Sequence, residues 1–395
     1  MLKRRIYLDN AATTCMDARV TEAMIPWFSQ EYGNASSLHH FGTQAREVLE
    51  NSRTTIANHL GAASDELYFT SGGTESNNWA LKSIAMANRH KGRHIIVSSI
   101  EHDCVLNTCN WLAEQGFFIT YLPVDADGIV DLDVLKESIN PKTILVSVMH
   151  ANNEIGTIEP IEEIGRICKT HKVYFHTDAC QSFGKIPVDV NQTNVDLLTI
   201  NSHKIYGPKG VGALYIRKGT NITPFLHGGG QEAGFRSSTE NIPGIVGFAK
   251  AADLAVQEMK CEAVRLTKLR HKIVQFITSD IGNAYINGHP DKRLPGHLSF
   301  SFHGLEGETI RLLLLLDENG IAVSAGSACS SNDKAHNASH VLQAIGLNPF
   351  EARGAIRVSM GRYTTEMDID IFTDSLGQAV NNLTSIFSEK SIINL

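Results

Sequence analysis

The sequence predicts an α/β protein with a large, mostly parallel seven-stranded sheet flanked by helices, and a second, smaller α+β domain. First, seven short apolar runs alternate with segments of helical periodicity between about residues 65 and 217, a pattern typical of βαβ units. Second, the chain of 395 residues is longer than one hydrophobic core usually supports. Third, this alternation stops after a long helical segment, and a different mixture of runs follows.

The seven strand-like runs are short and rich in β-branched and aromatic residues. They lie at 66–70, 94–99, 117–122, 143–149, 173–178, 195–201 and 212–217. Segments between them, such as 74–90 and 158–171, carry apolar residues at helical spacing. We therefore expect helices to cover both faces of the sheet.

A long helix is predicted from Pro243 to about residue 278. Beyond it come a leucine-rich helix, a terminal helix from about Thr365, and strand-like runs at 297–304, 321–326 and 355–362. We therefore predict that the long helix connects two domains. The large domain comprises residues 16–260, and the small domain comprises residues 1–15 and 261–395.

Composition and charge exclude several classes of function. The net charge is −7, from 35 basic and 42 acidic residues, and no basic stripe is present, so nucleic acid is not an expected partner. No apolar run approaches the roughly 20 residues that a membrane span requires, and the start of the chain lacks the apolar core of a signal peptide. The seven cysteines without CxxC spacing indicate free thiols in a reducing compartment. We expect a soluble cytoplasmic protein.

The stretch "LYFTSGGTESNN" reads as a strand, a small-residue turn and the start of a helix. Gly72, Gly73 and Thr74 could cradle a phosphate, because small residues let backbone N–H groups approach an anion at a helix N-terminus. An ordinary βα turn with a threonine cap is the alternative. The longer phosphate-binding pattern that ends in Gly-Lys-Ser/Thr is absent here.

Other polar residues follow predicted strands, where ligands of open α/β sheets bind. His102 follows the run at 94–99 and could act as an acid–base group or stack on an aromatic ligand, or be a surface histidine. Asp178 ends the run at 173–178 and precedes Gln181; it could cap a helix or hold a cationic ring nitrogen.

Lys204 follows an apolar strand in "LLTINSHKIYGPKGVG". A lysine at the rim of a sheet, partly desolvated, can form a Schiff base with a carbonyl compound. Lys209, in the Gly-flanked turn, is the competing amine. A phosphate cradle, an acid for a ring nitrogen and a reactive amine together fit pyridoxal 5′-phosphate.

The chain resembles the cysteine desulfurases, which are pyridoxal-phosphate enzymes of fold type I in the aminotransferase class-V group. The resemblance spans about residues 6–385 and rests on "YLDNAATT", "TSGGTESNN", "EHD", "HANNEIG", "HTDACQS", "SHKIYGPKG", "RSSTEN", "SAGSACSS" and "IRVSMGR". It implies that Lys204 forms the Schiff base with the cofactor and that Asp178 pairs with the ring nitrogen. Gln181 would bind the ring hydroxyl oxygen, and His102 would stack on the ring and transfer protons.

The resemblance also implies the remaining ligand contacts. Residues implied at the phosphate and elsewhere on the cofactor are Gly73, Thr74, Asn153, Asn201, Ser202, His203 and, from the other subunit of a homodimer, Thr239. Asn153 and Arg357 would hold the substrate carboxylate, a role that suits the planar guanidinium. The chain is expected to bind no metal.

The implied activity converts L-cysteine to L-alanine and leaves the sulfur as a persulfide on Cys329. This cysteine lies in "VSAGSACSSNDKAHNASH", where small and polar residues predict a loop that can carry sulfur to an acceptor protein, such as an iron–sulfur scaffold. The long segment after Cys329 is similar to that of the group that serves iron–sulfur cluster assembly. The attacking species would be the thiolate.

Four positions depart from the family pattern. Asn201 stands where the family usually has a serine, Ala233 and Phe235 where basic residues are frequent, and Ser238 where a glycine is common. These changes concern the phosphate site and the expected subunit interface.

Other interpretations of these sequence motifs fit less well. Cys329, His336 and His340 could form a zinc site, but no fourth ligand is evident. The run "GGGQEA" lacks the helix and the early βαβ unit that a dinucleotide site requires. A selenocysteine lyase or an aminotransferase of the same fold is the runner-up. A non-catalytic sulfur-scaffold partner has no need for both Lys204 and Cys329.

Overall fold

The computed structural model describes residues 5–325 and 338–393, with side chains as far as residue 385. Cys329 and His336, which the sequence analysis singled out, lie outside the described residues. Of the proposed zinc ligands, His340 is described, and its Nε2 lies 2.9 Å from the carbonyl oxygen of Glu101.

The secondary structure alternates along most of the chain. The strands are β1 (Ile6–Tyr7), β2 (Leu67–Thr70), β3 (His94–Ser98), β4 (Phe118–Leu122), β5 (Thr143–Ser147), β6 (Tyr174–Asp178), β7 (Leu197–Asn201), β8 (Gly212–Ile216), β9 (Ala284–Ile286), β10 (His297–Phe302), β11 (Ile321–Ala322), β12 (Ser324–Ala325) and β13 (Ile356–Ser359). The helices are α1 (Ala18–Met24), α2 (Pro26–Ser29), α3 (His40–Leu60), α4 (Gly73–Asn88), α5 (Asp103–Glu114), α6 (Leu132–Ser138), α7 (Ile161–His171), α8 (Val190–Thr193), α9 (Ile242–Phe276), α10 (Thr309–Glu318), α11 (His340–Ala344) and α12 (Glu366–Ile393).

Each of the seven predicted runs forms a strand of one sheet, in the order β2-β8-β7-β6-β5-β3-β4. In this order, β7, β6, β5, β3 and β4 run parallel to one another. Strand β8 pairs antiparallel with both β2 and β7. The prediction of a mostly parallel sheet is therefore confirmed. The long helix, predicted over 243–278, is α9, which ends at Phe276 and continues as one wider turn at Ile277–Ile281.

Helices cover both faces of this sheet. Successive residues of a strand point to opposite faces, and on β3 the side chain of Ile96 joins one hydrophobic core while Ile95 and Val97 join another. The first core includes residues of α3, α7 and α9, and the second includes residues of α4 and α5. Because both faces are covered, every residue of β3, β5 and β7 is buried.

A four-stranded antiparallel sheet, in the order β12-β13-β10-β9, packs with α10 and α12 around a separate core. The strand β1 pairs with β11, near this sheet. Helix α9 contributes Ile245 and Phe248 to the core of the large sheet and Leu269 and Ile273 to the core of the small one. These contacts support our proposal that the domains divide within α9, near residue 260, and that the first 15 residues belong with the small domain.

The order of the large sheet brings the candidate site together. The parallel strands β3, β5, β6 and β7 end at one edge, and ligands of such sheets bind beyond this edge. His102 follows β3, Asn153 follows β5, Asp178 ends β6 and Lys204 follows β7. No helix in the described part of the chain is long and apolar enough to cross a membrane.

Candidate active site

The N-terminal segment holds the turn that carries Lys204. The backbone N–H and the hydroxyl of Thr14 both donate to the carbonyl of His203, at 3.0 and 2.8 Å, and the Tyr206 N–H donates to the Thr14 oxygen at 2.8 Å. Lys204 is half-buried, whereas Lys209 is exposed. Of the two lysines that the sequence analysis considered, Lys204 is the more buried, and it lines a cavity together with Asn10 and Ala11.

Asp178 is a buried carboxylate whose two oxygens have different partners. Its Oδ2 accepts a hydrogen bond from the Asn77 side chain at 2.6 Å, and its Oδ1 accepts one from the Cys180 N–H at 2.8 Å. Turns rather than a long helix follow this residue, and the contact with the Cys180 N–H lies at the start of the first turn. Asn77, which the sequence analysis did not single out, orients the carboxylate from α4.

His102 caps helix α5 and is held in one orientation. Its Nδ1 accepts a hydrogen bond from the Cys104 N–H at 3.1 Å. Burial lowers the pKa of His102, as does the nearby charge of Lys204, while Asp178 acts in the opposite direction. A neutral imidazole whose Nδ1 accepts a hydrogen bond carries its proton on Nε2. Nε2 is therefore the atom that can exchange a proton with a ligand.

The turn before α4 has the features of an anion site. Gly72 has a φ of +153°, which side-chain-bearing residues rarely adopt, and a Cβ on Gly73 would lie 2.6 Å from the Cys180 sulfur. The first backbone hydrogen bond of the helix runs from the Ser76 N–H to the Gly72 carbonyl. The N–H groups of the first helical turn thus face the end of the sheet, where an anion would be stabilised.

The end of β7 adds unpaired polar atoms beside this turn. Within the described residues, Asn201 Oδ1 and Ser202 Oγ are buried without a hydrogen-bond partner, and the Asn201 amide nitrogen would lie 3.6 Å from a Cβ on Gly73. Buried polar groups are normally paired. The Asn201 side-chain nitrogen, which lies beside Gly73, is a donor suited to a bound phosphate, so Asn201 can serve where the family has a serine.

His203, next to the lysine, has its Nδ1 at 3.1 Å from the Thr13 hydroxyl. Burial lowers the pKa of His203 to about 4, and the charges of Lys204, Lys209 and Lys185 act in the same direction. Its imidazole is therefore neutral at physiological pH, and contributes a hydrogen bond rather than a charge to an anion.

Gln181 lies three residues after Asp178 and is 3% exposed. Its side-chain amide nitrogen donates to the Ala11 carbonyl at 2.9 Å, and its side-chain oxygen accepts from the Lys185 amine at 3.2 Å. Lys185, like Asn77, was not found by the sequence analysis. The spacing of four residues from Gln181 was the one available signal.

Arg357, on β13, is buried and already partnered. Its guanidinium donates to the Asn153 carbonyl oxygen at 2.9 Å and to the Asp9 carboxylate at 2.8 Å, while its Nε is buried without a partner among the described residues. The expected pair of Asn153 and Arg357 is thus in contact, through the Asn153 backbone. Asp9, a third member of this group, was not anticipated from the sequence.

Thr239 is exposed in the segment before α9, apart from the hydrogen-bonded groups described above. The departures from the family pattern lie in the same segment. Ala233 and Ser238 have φ values of +54° and +144°, a region in which glycine is favoured, and Phe235 packs edge-on against Tyr68 with ring centroids 5.6 Å apart.

The residues present fit pyridoxal phosphate. An amine at Lys204, a carboxylate at Asp178, an imidazole at His102 and an anion cradle at Gly73 meet at one edge of the sheet, which is the combination that this cofactor requires. In the described part of the chain no group of three His, Cys, Asp or Glu side chains is arranged to hold a metal ion.

Comparisons with known proteins agree with this geometry. The family model for aminotransferase class-V matches residues 6–372. The chain is 52% identical over 385 residues to the cysteine desulfurase IscS of Dictyoglomus turgidum, covering 98% of this chain and 97% of that protein. It is 48% identical over 380 residues to the cysteine desulfurase IscS 1 of Archaeoglobus fulgidus, covering 96% of this chain and 98% of that protein.

Among solved structures, a NifS-like protein is similar with a TM-score of 0.89 at 42% identity, covering 96% of this chain and all of that one. Another, described as SspA in complex with cysteine, is similar with a TM-score of 0.80 at 38% identity, covering 91% of this chain and all of that one.

Proposed function

The chain belongs to the aminotransferase class-V family, and on that premise we propose that it is a pyridoxal-phosphate-dependent cysteine desulfurase. It converts L-cysteine to L-alanine and transfers the sulfur to its own Cys329 as a persulfide. The single observation that carries the proposal is the meeting of the Lys204 amine, the Asp178 carboxylate and the Gly73 cradle at one edge of the sheet. The high identity to proteins named cysteine desulfurase selects this reaction among those of the family.

Different residues at the sheet edge would hold the ring and the phosphate of the cofactor. When bound, pyridoxal phosphate supplies a reactive carbonyl carbon and a protonated ring that withdraws electrons from the substrate. Asp178 would keep the proton on the ring nitrogen, and the hydrogen bond from Asn77 holds this carboxylate in place. The phosphate would be held by Gly73 and Thr74, and by the chain from Asn201 to His203.

Proton movement would fall to Lys204 and His102. Both are half-buried and close enough to influence one another, since the charge of Lys204 lowers the pKa of His102. Because His102 Nδ1 is occupied by the Cys104 N–H, Nε2 is the atom that would exchange a proton with the substrate. The Lys204 amine is a second group that can exchange a proton beside it.

The substrate carboxylate would bind at Arg357. The buried Nε of Arg357 is an open donor within the described residues, and the contact with the Asn153 carbonyl sets the plane of the guanidinium. A carboxylate that enters must share this cation with Asp9, which is paired with it at 2.8 Å.

The sulfur step would be a thiolate displacement. The Cys329 thiolate attacks the sulfur of the bound cysteine, an S–S bond forms, and the C–S bond breaks with its electron pair moving to the substrate carbon. That carbon takes up a proton and leaves as alanine. Cys104 and Cys180 are poor substitutes, because burial raises the pKa of Cys104 to about 12 and holds the pKa of Cys180 well above its usual range.

The protein would work as a homodimer in which Thr239 reaches the phosphate site of the partner subunit. Thr239 is exposed in the single chain, as a residue that contacts a partner subunit must be. Nearby, the segment from Phe28 to Phe41 displays large apolar side chains to solvent, and Tyr32 stacks on Phe41 with ring centroids 5.5 Å apart. Ala35 and Ser36 of this segment share a cavity wall with Gly230–Ala233, which makes the apolar segment and the Thr239 loop neighbours on one surface.

An acceptor protein would collect the persulfide sulfur. The relatives carry the name IscS, and with the long segment after Cys329 this supports an iron–sulfur scaffold as acceptor. The described cysteines are free, four of them at least half-buried, which supports a reducing compartment and hence the cytoplasm.

The test is to incubate the purified protein with L-cysteine and to measure alanine and protein-bound persulfide together. We expect equal amounts in the first turnover. Cys329→Ser should keep the visible cofactor band but lose persulfide and sulfide, whereas Cys261→Ser, at an exposed cysteine, should behave as wild type.

Other outcomes of this experiment would contradict the proposal. Alanine and sulfide at the wild-type rate from Cys329→Ser would make another thiol responsible. A keto acid formed without alanine would favour an aminotransferase, and faster turnover of L-selenocysteine than of L-cysteine would favour a selenocysteine lyase.

A further inference from the structure

Lys185 is a half-buried cation next to the candidate site that the proposed mechanism does not use. Its amine lies 3.2 Å from the side-chain oxygen of Gln181. It lines the cavity between the large sheet and α9, together with Lys204 and Ala11. The acidic residues Glu258 and Glu262 line other walls of this cavity, but no carboxylate in the described part of the chain forms an ion pair with Lys185.

The two partners of Gln181 fix the orientation of its amide. In its protonated form the Lys185 amine can only donate hydrogen bonds, and in that form the atom facing it must be the amide oxygen. A backbone carbonyl can only accept, so the atom facing Ala11 must be the nitrogen. The two contacts independently give the same orientation. One N–H of the amide remains, and no described residue accepts it.

The position of Lys185 is energetically unfavourable for a charged amine. Burial, together with the like charges of Lys204 and Arg357, lowers the pKa of Lys185 to about 7, while Cys180 acts in the opposite direction. Taking an ammonium group out of water without a carboxylate partner is unfavourable.

We propose that Lys185 is a positioning residue that holds the Gln181 amide so that its remaining N–H points into the cofactor site. This inference rests on the proposed function, in which Gln181 donates to the ring oxygen of the cofactor. Without Lys185, only the hydrogen bond to the Ala11 carbonyl orients the amide. The amide then turns more freely about its last bond, and its remaining N–H is directed less precisely at the cofactor.

A double-mutant cycle tests the proposal. We would measure the dissociation constant of pyridoxal phosphate and the visible absorption maximum for Lys185→Met, Gln181→Ala and the double variant. Lys185→Met should weaken binding about fivefold, the scale of one hydrogen bond, and shift the absorption maximum. In the Gln181→Ala background the same substitution should change neither quantity, because its target is gone.

Two controls separate positioning from a structural role. Methionine has a similar length and removes a buried charge, so Lys185→Met should not lower the melting temperature, whereas a structural lysine would. Lys185→Arg keeps a donor-only group facing Gln181 and should retain the wild-type absorption maximum. Met259→Leu, on the wall of the same cavity, should leave cofactor binding unchanged.

Equal effects of Lys185→Met in both backgrounds would overturn the proposal, as would an arginine variant that behaves like the methionine variant. These outcomes are distinct from a failure of the proposed function. In that case the wild-type protein itself would bind no pyridoxal phosphate or would form no alanine from L-cysteine.

Discussion

At the scale of single residues, the site depends on groups that are held from outside their own segment. Thr14, from the N-terminal segment, fixes the turn of Lys204, and Asn77, from helix α4, fixes the carboxylate of Asp178. Each reactive side chain therefore has a neutral neighbour that sets its direction. Substitutions of these neighbours should change cofactor binding without removing a reactive group.

Lys204→Ala should abolish the visible band of the lysine-bound cofactor and reduce alanine formation by at least roughly 10²-fold, the scale of a lost proton-transfer group. The measurement is an absorption spectrum together with an alanine assay. Lys209→Ala, at the exposed lysine of the next turn, is the matched control. Activity retained by Lys204→Ala would show that another amine holds the cofactor.

Asn77→Ala should weaken pyridoxal phosphate binding about fivefold to tenfold, because Asp178 Oδ2 loses its 2.6 Å hydrogen bond. Equilibrium titration with the cofactor measures this loss. The neighbouring Asn78→Ala removes only a hydrogen bond to the Thr74 carbonyl on the same helix and should have a smaller effect. Equal effects of the two substitutions would mean that the helix, not the carboxylate, is responsible.

At the scale of secondary-structure elements, the buried Glu101 joins the ends of two neighbouring parallel strands. Its Oε1 accepts hydrogen bonds from the Ser98 hydroxyl at 2.7 Å and from the Met149 N–H at 2.6 Å, while its Oε2 has no partner among the described residues. Burial raises the pKa of Glu101 from 4.5 to about 8. The connection between β3 and β5 is therefore made by a protonated carboxyl group at neutral pH.

This raised pKa gives a pH dependence of definite sign. Between about pH 4.5 and 8 the folded protein holds a proton on Glu101 that the unfolded chain releases, so the contribution of this group to the free energy of unfolding falls as the pH rises. Glu101→Gln mimics the protonated group and should remove this dependence. The free energies of unfolding of the two proteins should match at pH 5, and the variant should be more stable at pH 8 by an amount on the order of a few kcal/mol. Melting temperatures at both pH values provide the measurement.

Glu114→Gln, on the exposed surface of α5, is the control for this comparison. Its melting temperature should follow the wild-type protein at both pH values. A Glu101→Gln variant that loses stability equally at pH 5 and pH 8 would contradict the assignment of a protonated Glu101.

At the scale of the whole molecule, the proposed dimer explains an apolar surface that a lone chain would leave in water. Leu38 is 92% exposed, Tyr32 is 68% exposed and Phe28 is 65% exposed. Contiguous exposed apolar side chains mark interaction surfaces. The nearby loop is anchored to its own subunit by the ion pairs Arg53–Glu232 and Arg236–Glu75, which would hold Thr239 outward toward a partner.

Leu38→Asp should shift the protein from dimer toward monomer, because a carboxylate would be buried in an apolar interface. Light scattering measures the mass, and cofactor binding should weaken in parallel if Thr239 completes the partner's site. Val264→Asp, at a 60% exposed position of α9, is the control and should stay dimeric. A fully active monomer would contradict both the dimer and the role of Thr239.

Much of the fold could be predicted because it depends on local patterns. The seven apolar runs form the seven strands, since a strand buried on both faces reads as a short apolar run wherever it lies. The antiparallel pairing of β8 with β2 and β7 could not be read from those runs, because strand composition does not encode the direction of the neighbour.

The sequence by itself also predicted candidate residues of the site, since His102 and Lys204 follow strands, Asp178 ends one, and parallel strands end at one edge. Only the tertiary structure decided how these groups are held. Asn77 reaches Asp178 across 101 residues, and Arg357 reaches Asp9 across 348. Hydrogen bonds depend on distance and direction in space, and a linear pattern fixes neither for residues that folding brings together from distant parts of the chain.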